Sequence, residues 1–126
     1  MRFGYIHFAF LGPESLLAAE ASECAADQNA FWAYHDALFA IQIGESEGAF
    51  QADNLKDIAA QLGLDLPIFS ECLDSGKYQD LVQEESAWVR SIGVQSTPAF
   101  VLDGQPIVGA QPFEVFQQAI EARLNR

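Results

Sequence analysis

The Asp103-Gly104 pair constrains the fold of this chain more than any other feature of its sequence. It separates two short runs rich in β-forming residues, 98–102 and 105–109. An Asp-Gly pair between such runs favours the two-residue turn that joins antiparallel strands. Pro98 opens the first run, where a missing N–H removes no ladder bond. We therefore predict a β-hairpin over 98–109.

On both sides of the hairpin, apolar residues recur at helical spacing, which predicts five helices before it and one after it. Pro13 suits the first position of the first helix, and Asp53 or Asn54 is predicted to cap the third. The aromatic-rich run 3–10 predicts a strand ahead of all the helices. The predicted helices run over 14–28, from 29, from 53 or 54 to 63, over 67–76, over 77–92 and from 112.

The chain has 126 residues, half of them apolar, which suits one small globular domain. Its net charge of −12 leaves no basic stripe to neutralise phosphates, so nucleic acid and anionic membranes are poor candidates as partners. Neither a membrane span nor a signal peptide is predicted, and the compartment stays open. The acidic residues predicted to form a solvated surface include Glu14, Glu20, Glu23, Asp57, Glu71, Glu84, Glu85, Glu114 and Glu121.

Two stretches of the sequence carry a resemblance to a known family. The first reads YIHFAFLGPESLLAAEASECAADQNAFWAYHDALF, and the second reads SIGVQSTPAFVLDGQPIVGAQPFEVFQQAIEARL. Each motif alone is weak evidence for a family. Their combination is specific evidence: Gly-Val-x-x-Thr-Pro-x-Phe, then the Asp-Gly hairpin, then the final amphipathic helix. The chain resembles the DsbA-like, thioredoxin-fold thiol-disulfide oxidoreductases.

The resemblance implies an α/β fold: a single incomplete thioredoxin-like (DsbA-like) domain over 1–126, in the order β-α-α-α-α-α-β-β-α. The inserted helical domain would cover about 14–92. Family members begin with a further strand that leads into a redox-active Cys-X-X-Cys at a helix N-terminus, where the pKa of the attacking thiol is lowered. Here the only cysteines are Cys24 and Cys72, so no catalytic residue is assigned and the chain alone is expected to be redox-inert. The family suggests an extracytoplasmic or periplasmic location.

In that family, the residue that matches Pro98 is a cis-proline beside the redox cysteines. The backbone before it pairs with an extended substrate strand. The resemblance therefore makes Thr97 and Pro98 the substrate-binding element, with a protein or peptide strand as the partner. Cys24 and Cys72 match positions that form a second, structural disulfide in some members. The alternative is a pair of buried free thiols that behave as small apolar residues.

The family's motif-bearing strand lies at the centre of the sheet, between 3–10 and the hairpin. Without it the sheet has open edges, which invite pairing. Direct antiparallel pairing of 3–10 with 99–102, pairing or swapping between two copies, and a strand donated by a partner would each close the gap. A homodimer through the vacant central-strand position is favoured.

The other chemistry-bearing residues favour structural roles. His7 and His35 lack zinc-type spacing, so both are predicted to be satisfied, partly buried histidines, with no metal and no cofactor. The loop 44–48 lacks the ligand pattern of a calcium site and is predicted to be plain surface. The aromatic residues of the second helix are predicted to lie in the core, with a substrate groove as the alternative; they are Phe31, Trp32, Tyr34 and Phe39.

Three classes of function follow. The first is a DsbA-like domain, related to thiol-disulfide oxidoreductases, that lacks the redox motif. The second is a non-catalytic binding or self-assembling module on the same scaffold. The third, a glutathione-dependent isomerase or transferase, is weaker because it would also need a thiol-binding segment that this sequence lacks.

Overall fold

The computed structural model describes residues 1–41 and 48–125. The chain divides into two compact units, Met1–Val89 and Arg90–Arg126. Most of the predicted loop 44–48 lies outside the described residues. The assignment of the whole chain to a single domain stays a prediction.

The first unit is helical. The bounds of its helices agree with the predicted ones to within a few residues, because Gly63 and Gly76 adopt the left-handed conformation that ends a helix. The predicted cap of the third helix is wrong: Gln51 is its N-cap, and the Asn54 side chain donates to the Gly48 carbonyl instead. The helices are α1 (Pro13–Ala26), α2 (Phe31–Ile41), α3 (Ala52–Gln61), α4 (Leu66–Asp74) and α5 (Gln79–Ser91), which ends just beyond the unit.

Helices α1 to α4 enclose the core of this unit. Tyr34 of α2 and Phe69 of α4 are fully buried, with ring centroids 5.5 Å apart. The Tyr34 hydroxyl donates a 2.8 Å hydrogen bond to the Leu55 carbonyl, which satisfies the one polar group of this side chain. The remaining members of the core are Ala21, Cys24, Ala25, Leu55, Ile58, Ala59, Cys72 and Leu73.

Residues 3–10 do not form the predicted strand, and no strand pairs with them within the described residues. Instead, the backbone N–H of His7 donates to Glu85 Oε1 at 2.9 Å, and that of Ala9 donates to Ser86 Oγ at 3.0 Å. Side chains of α5 thus satisfy donors that a sheet would have paired. Aromatic and β-branched residues favour a pleated surface, but a strand also needs a neighbour to supply its hydrogen bonds.

The second unit contains β1 (Ala99–Leu102), β2 (Gln105–Val108) and α6 (Phe113–Leu124). The two strands are antiparallel, with Ala99 opposite Val108, so the predicted hairpin is confirmed. Asp103 and Gly104 both have positive φ, 51° and 83°, as the two-residue turn requires. None of the described residues from 90 to 125 is fully buried. Over residues 1–41 and 48–125 the structure has six helices and a small two-stranded sheet, so the fold is mixed α/β.

Candidate functional site

The two cysteines lie on α1 and α4 and are joined to each other. Cys24 and Cys72 form a disulfide bond, as the family resemblance implied. Cys24 is 1% exposed and Cys72 is 8% exposed. This bond uses both cysteines of the chain, which leaves no free thiol. The pair is therefore built as an internal cross-link of the helical core.

An ionic cluster, formed by Asp27, Lys77 and Tyr78, lies beside the disulfide. Lys77 Nζ donates to Asp27 Oδ2 at 2.7 Å, the Tyr78 hydroxyl donates to Asp27 Oδ1, and Oδ2 lies 3.9 Å from Cys72 Sγ. Burial opposes ionisation of Asp27, but the hydrogen bonds from Lys77 and Tyr78 and the charge of Lys77 outweigh it and lower the pKa of this carboxyl. A carboxylate thus lies next to the disulfide at neutral pH.

Glu20, predicted to belong to the solvated surface, is instead buried on α1 and only 7% exposed. Burial raises the pKa of Glu20 above its ordinary value of 4.5 because it penalises the charged form. In the unfolded chain Glu20 loses its proton near pH 4.5, whereas in the folded chain it keeps the proton to a higher pH. The free energy of unfolding therefore falls as the pH rises from below 4.5 through the raised pKa. We expect Glu20→Gln to raise the urea midpoint at about pH 7 and to leave it nearly unchanged at about pH 3.5.

Glu71, exposed on α4, offers a matched control for this prediction. Glu71→Gln removes the same charge without relieving a buried carboxylate, so its midpoint should follow that of the parent chain at both pH values. Urea titrations followed by circular dichroism measure both variants. A Glu20→Gln chain no more stable than the parent at neutral pH would contradict the assigned burial penalty.

His7, in the N-terminal segment, is 3% exposed, and its side chain contacts α1. Its Nε2 lies 2.7 Å from Glu23 Oε1, and its backbone N–H donates to Glu85. His35, partly exposed on α2, lies 3.0 Å from Asp36 through Nδ1. Both histidines have a side-chain partner, as predicted, but His7 is buried rather than partly buried. Over residues 1–41 and 48–125, no group of three or more His, Cys, Asp or Glu side chains is arranged to hold a metal ion.

The aromatic stripe of α2 divides between core and surface. Tyr34 is buried as predicted, but Trp32 and Phe39 are 45% and 61% exposed, so the assignment of the whole stripe to the core is wrong. Phe3 stacks on Trp32 at 5.6 Å, and Tyr5 lies 5.4 Å from the ring of Phe31. The outward side of α2 is thus covered in part by aromatic residues of the N-terminal segment.

Thr97 and Pro98 lie in the second unit, immediately before β1, and both are exposed. The peptide bond between them is cis. The Pro98 carbonyl accepts a 2.8 Å hydrogen bond from the Gly109 N–H, which extends the hairpin by one pair. Among the described residues, Thr97 forms no hydrogen bond. Whether this element binds substrate stays a prediction.

Sequence reasoning missed Glu85 and Ser86, which anchor the N-terminal segment, and Asp27, which lies beside the disulfide. Their partners are 45 to 78 residues away along the chain. No local spacing signals such contacts.

The described residues form a helical unit that contains the Cys24–Cys72 disulfide, then a β-hairpin and a final helix, which is the order that the resemblance to DsbA-like, thioredoxin-fold domains implied apart from the strand at 3–10. The family model described as thioredoxin matches residues 1–122. The chain belongs to the thioredoxin family.

Solved structures agree with this assignment. A thioredoxin-like oxidoreductase from Silicibacter pomeroyi superposes with a TM-score of 0.79 at 23% identity, over 97% of this chain and 68% of that one. The thiol-disulfide exchange protein alpha-DsbA2 from Wolbachia pipientis gives 0.76 at 24% identity, over 90% and 60%. At this identity the likeness establishes the fold. The resemblance to DsbA-like proteins, noted from the sequence, is confirmed.

Curated relatives are longer than this chain. A Na⁺/H⁺ antiporter NhaA from Herminiimonas arsenicoxydans is 33% identical over 110 residues, which are 87% of this chain and 17% of the antiporter. The probable disulfide bond formation protein D of Bacillus anthracis is 25% identical over 126 residues, 97% of this chain and 57% of that protein. Within the described residues, no helix has the length and apolar character needed to cross a membrane.

Proposed function

We propose that this chain is a DsbA-like domain that supplies the scaffold and substrate-side element of a thiol-disulfide oxidoreductase and does not exchange disulfides by itself. One observation carries the proposal: the chain's two cysteines are bonded to each other inside the helical core. The Thr97-Pro98 element supports the substrate-side part, because both residues are exposed and the Thr97 backbone makes no hydrogen bond within the described chain that would compete with an extended peptide.

Disulfide exchange requires an accessible thiolate that attacks one sulfur and leaves the electron pair on the other. Burial shields both sulfur atoms from a protein substrate. After reduction, Asp27 Oδ2, 3.9 Å from Cys72 Sγ, would repel a thiolate on Cys72 and favour the protonated thiol. Both effects oppose turnover through this pair.

An insulin-reduction assay with dithiothreitol tests the proposal. We expect insulin to precipitate at the rate given by dithiothreitol alone, because no cysteine of the chain can relay electrons. The Cys24→Ala/Cys72→Ala double variant, which keeps the scaffold without any thiol chemistry, is the matched control. A rate for the parent chain well above that of the double variant would overturn the proposal.

A second candidate, a self-assembling module, is favoured by the open edges of the sheet. In the described part of the chain the sheet has two strands, so β1 and β2 each keep one edge without a partner strand. Edges of this kind pair with other chains. Light scattering coupled to size exclusion should then give the mass of a dimer, twice 13.8 kDa. A single monomeric species across a hundredfold range of concentration would refute it.

A further inference from the structure

A groove runs along α5 on the first unit, apart from the disulfide. It has a volume of about 340 Å³ and is lined by Ile6, Leu81, Glu84, Glu85 and Trp88. The four α5 residues are spaced i, i+3, i+4 and i+7, so they share one face over about 10 Å at 1.5 Å rise per residue. That length matches about three residues of an extended peptide at 3.3 Å each.

The apolar part of the groove is open to solvent. Ile6 and Trp88, which both line it, are 49% and 48% exposed. Large apolar side chains left half-exposed around one concave surface are typical of a site that a partner covers. The face of an indole ring also attracts a cation, most strongly when the cation loses some of its water.

The charged residues that line the groove are acidic. Glu84 and Glu85 contribute carboxylates, and none of the described residues that line the groove is basic, in a chain with 6 basic and 18 acidic residues. Glu85 Oε1 already accepts the His7 N–H, which holds this side chain at the groove wall. Glu84 lies one helical turn before Trp88, so a cation over the indole would be within reach of its carboxylate.

We propose that this groove binds a polypeptide segment that presents an arginine or lysine next to an apolar side chain. The cation lies over the Trp88 ring and pairs with Glu84 and Glu85, and the apolar side chain packs against Ile6 and Leu81. The inference does not rest on the proposed redox inertness, nor on the Thr97-Pro98 element, which lies in the other unit.

Fluorescence anisotropy with labelled nine-residue peptides tests the proposal. A peptide of alternating Leu and Arg should bind, whereas the same peptide with Glu in place of Arg, or Gly in place of Leu, should not. Trp88→Ala should weaken binding about fivefold or more, through lost cation–π and apolar contact. Glu84→Gln/Glu85→Gln should weaken it similarly and keep an amide oxygen to accept the His7 N–H.

Two control variants distinguish the groove from general charge attraction. Trp32→Ala removes a tryptophan of similar exposure from α2, and Glu71→Gln removes an exposed carboxylate from α4. Both should bind the Leu-Arg peptide as the parent chain does. Equal binding by parent, groove variants and controls, or no binding to the parent at all, would overturn the proposal. If Trp88→Ala does not fold, peptide binding by Glu84→Gln/Glu85→Gln tests the proposal.

Discussion

Reduction of the Cys24–Cys72 disulfide is expected to lower the free energy of unfolding of the helical unit by about 4 kcal/mol. The bond closes a loop between residues 48 positions apart, and so restricts the unfolded chain far more than the folded one. A loss of this size is a large fraction of the total stability of a small domain. Urea unfolding followed by circular dichroism, with and without a phosphine reductant, measures it.

The Cys24→Ala/Cys72→Ala double variant is the control for this experiment. It should begin from the lowered stability and show no response to the reductant, since it has no bond to break. Thiol titration under denaturing conditions establishes that reduction of the parent chain is complete. A fully reduced parent chain with an unchanged urea midpoint would contradict the assigned role of the cross-link.

Phe69→Ala should destabilise the same unit by about 3–5 kcal/mol. Phe69 is fully buried, packs against Tyr34 and lies on the same helix as Cys72, so its loss leaves a cavity at the centre of the core. The helices cannot close that cavity easily because the disulfide holds α1 and α4 together. Differential scanning calorimetry, or urea unfolding as above, measures the change.

Phe39→Ala offers the matched comparison. Phe39 is also a helical phenylalanine of the first unit, but it is 61% exposed. Among the described aromatic residues, its ring packs against that of His35 alone. Its truncation should cost less than about 1 kcal/mol, as is usual for surface positions. Similar losses for the two variants would mean that the core is not centred on Phe69.

Much of the fold could be predicted from local sequence. The hairpin follows from Asp103 and Gly104, because few other residue pairs accept positive φ twice in succession. The helix ends follow from glycines at 63 and 76 for the same reason. The residues of the candidate site could not be predicted from local sequence in this way. The family resemblance implied the pairing of Cys24 with Cys72 and the substrate-binding role predicted for Thr97 and Pro98, and spacing alone left both open.

The environment of the side chains was harder to predict. Helical periodicity placed Tyr34, Trp32 and Phe39 on one buried stripe, yet only Tyr34 reaches the core. Glu20 carries a charged group, as surface residues commonly do, but its side chain is buried like those of the core. Periodicity identifies which residues share a face of a helix. It does not say how much of that face a neighbouring helix covers.

By itself, the sequence determined the order of the helices, the hairpin and its turn, and the excess of negative charge, since each depends on neighbouring residues or on composition. Only the tertiary structure decided the state of residues 3–10. Their β-forming side chains favour an extended backbone, but their amide donors at His7 and Ala9 bind Glu85 and Ser86 of α5 rather than a strand. A strand depends on a partner that lies far away in the chain, and no property of the segment alone supplies one.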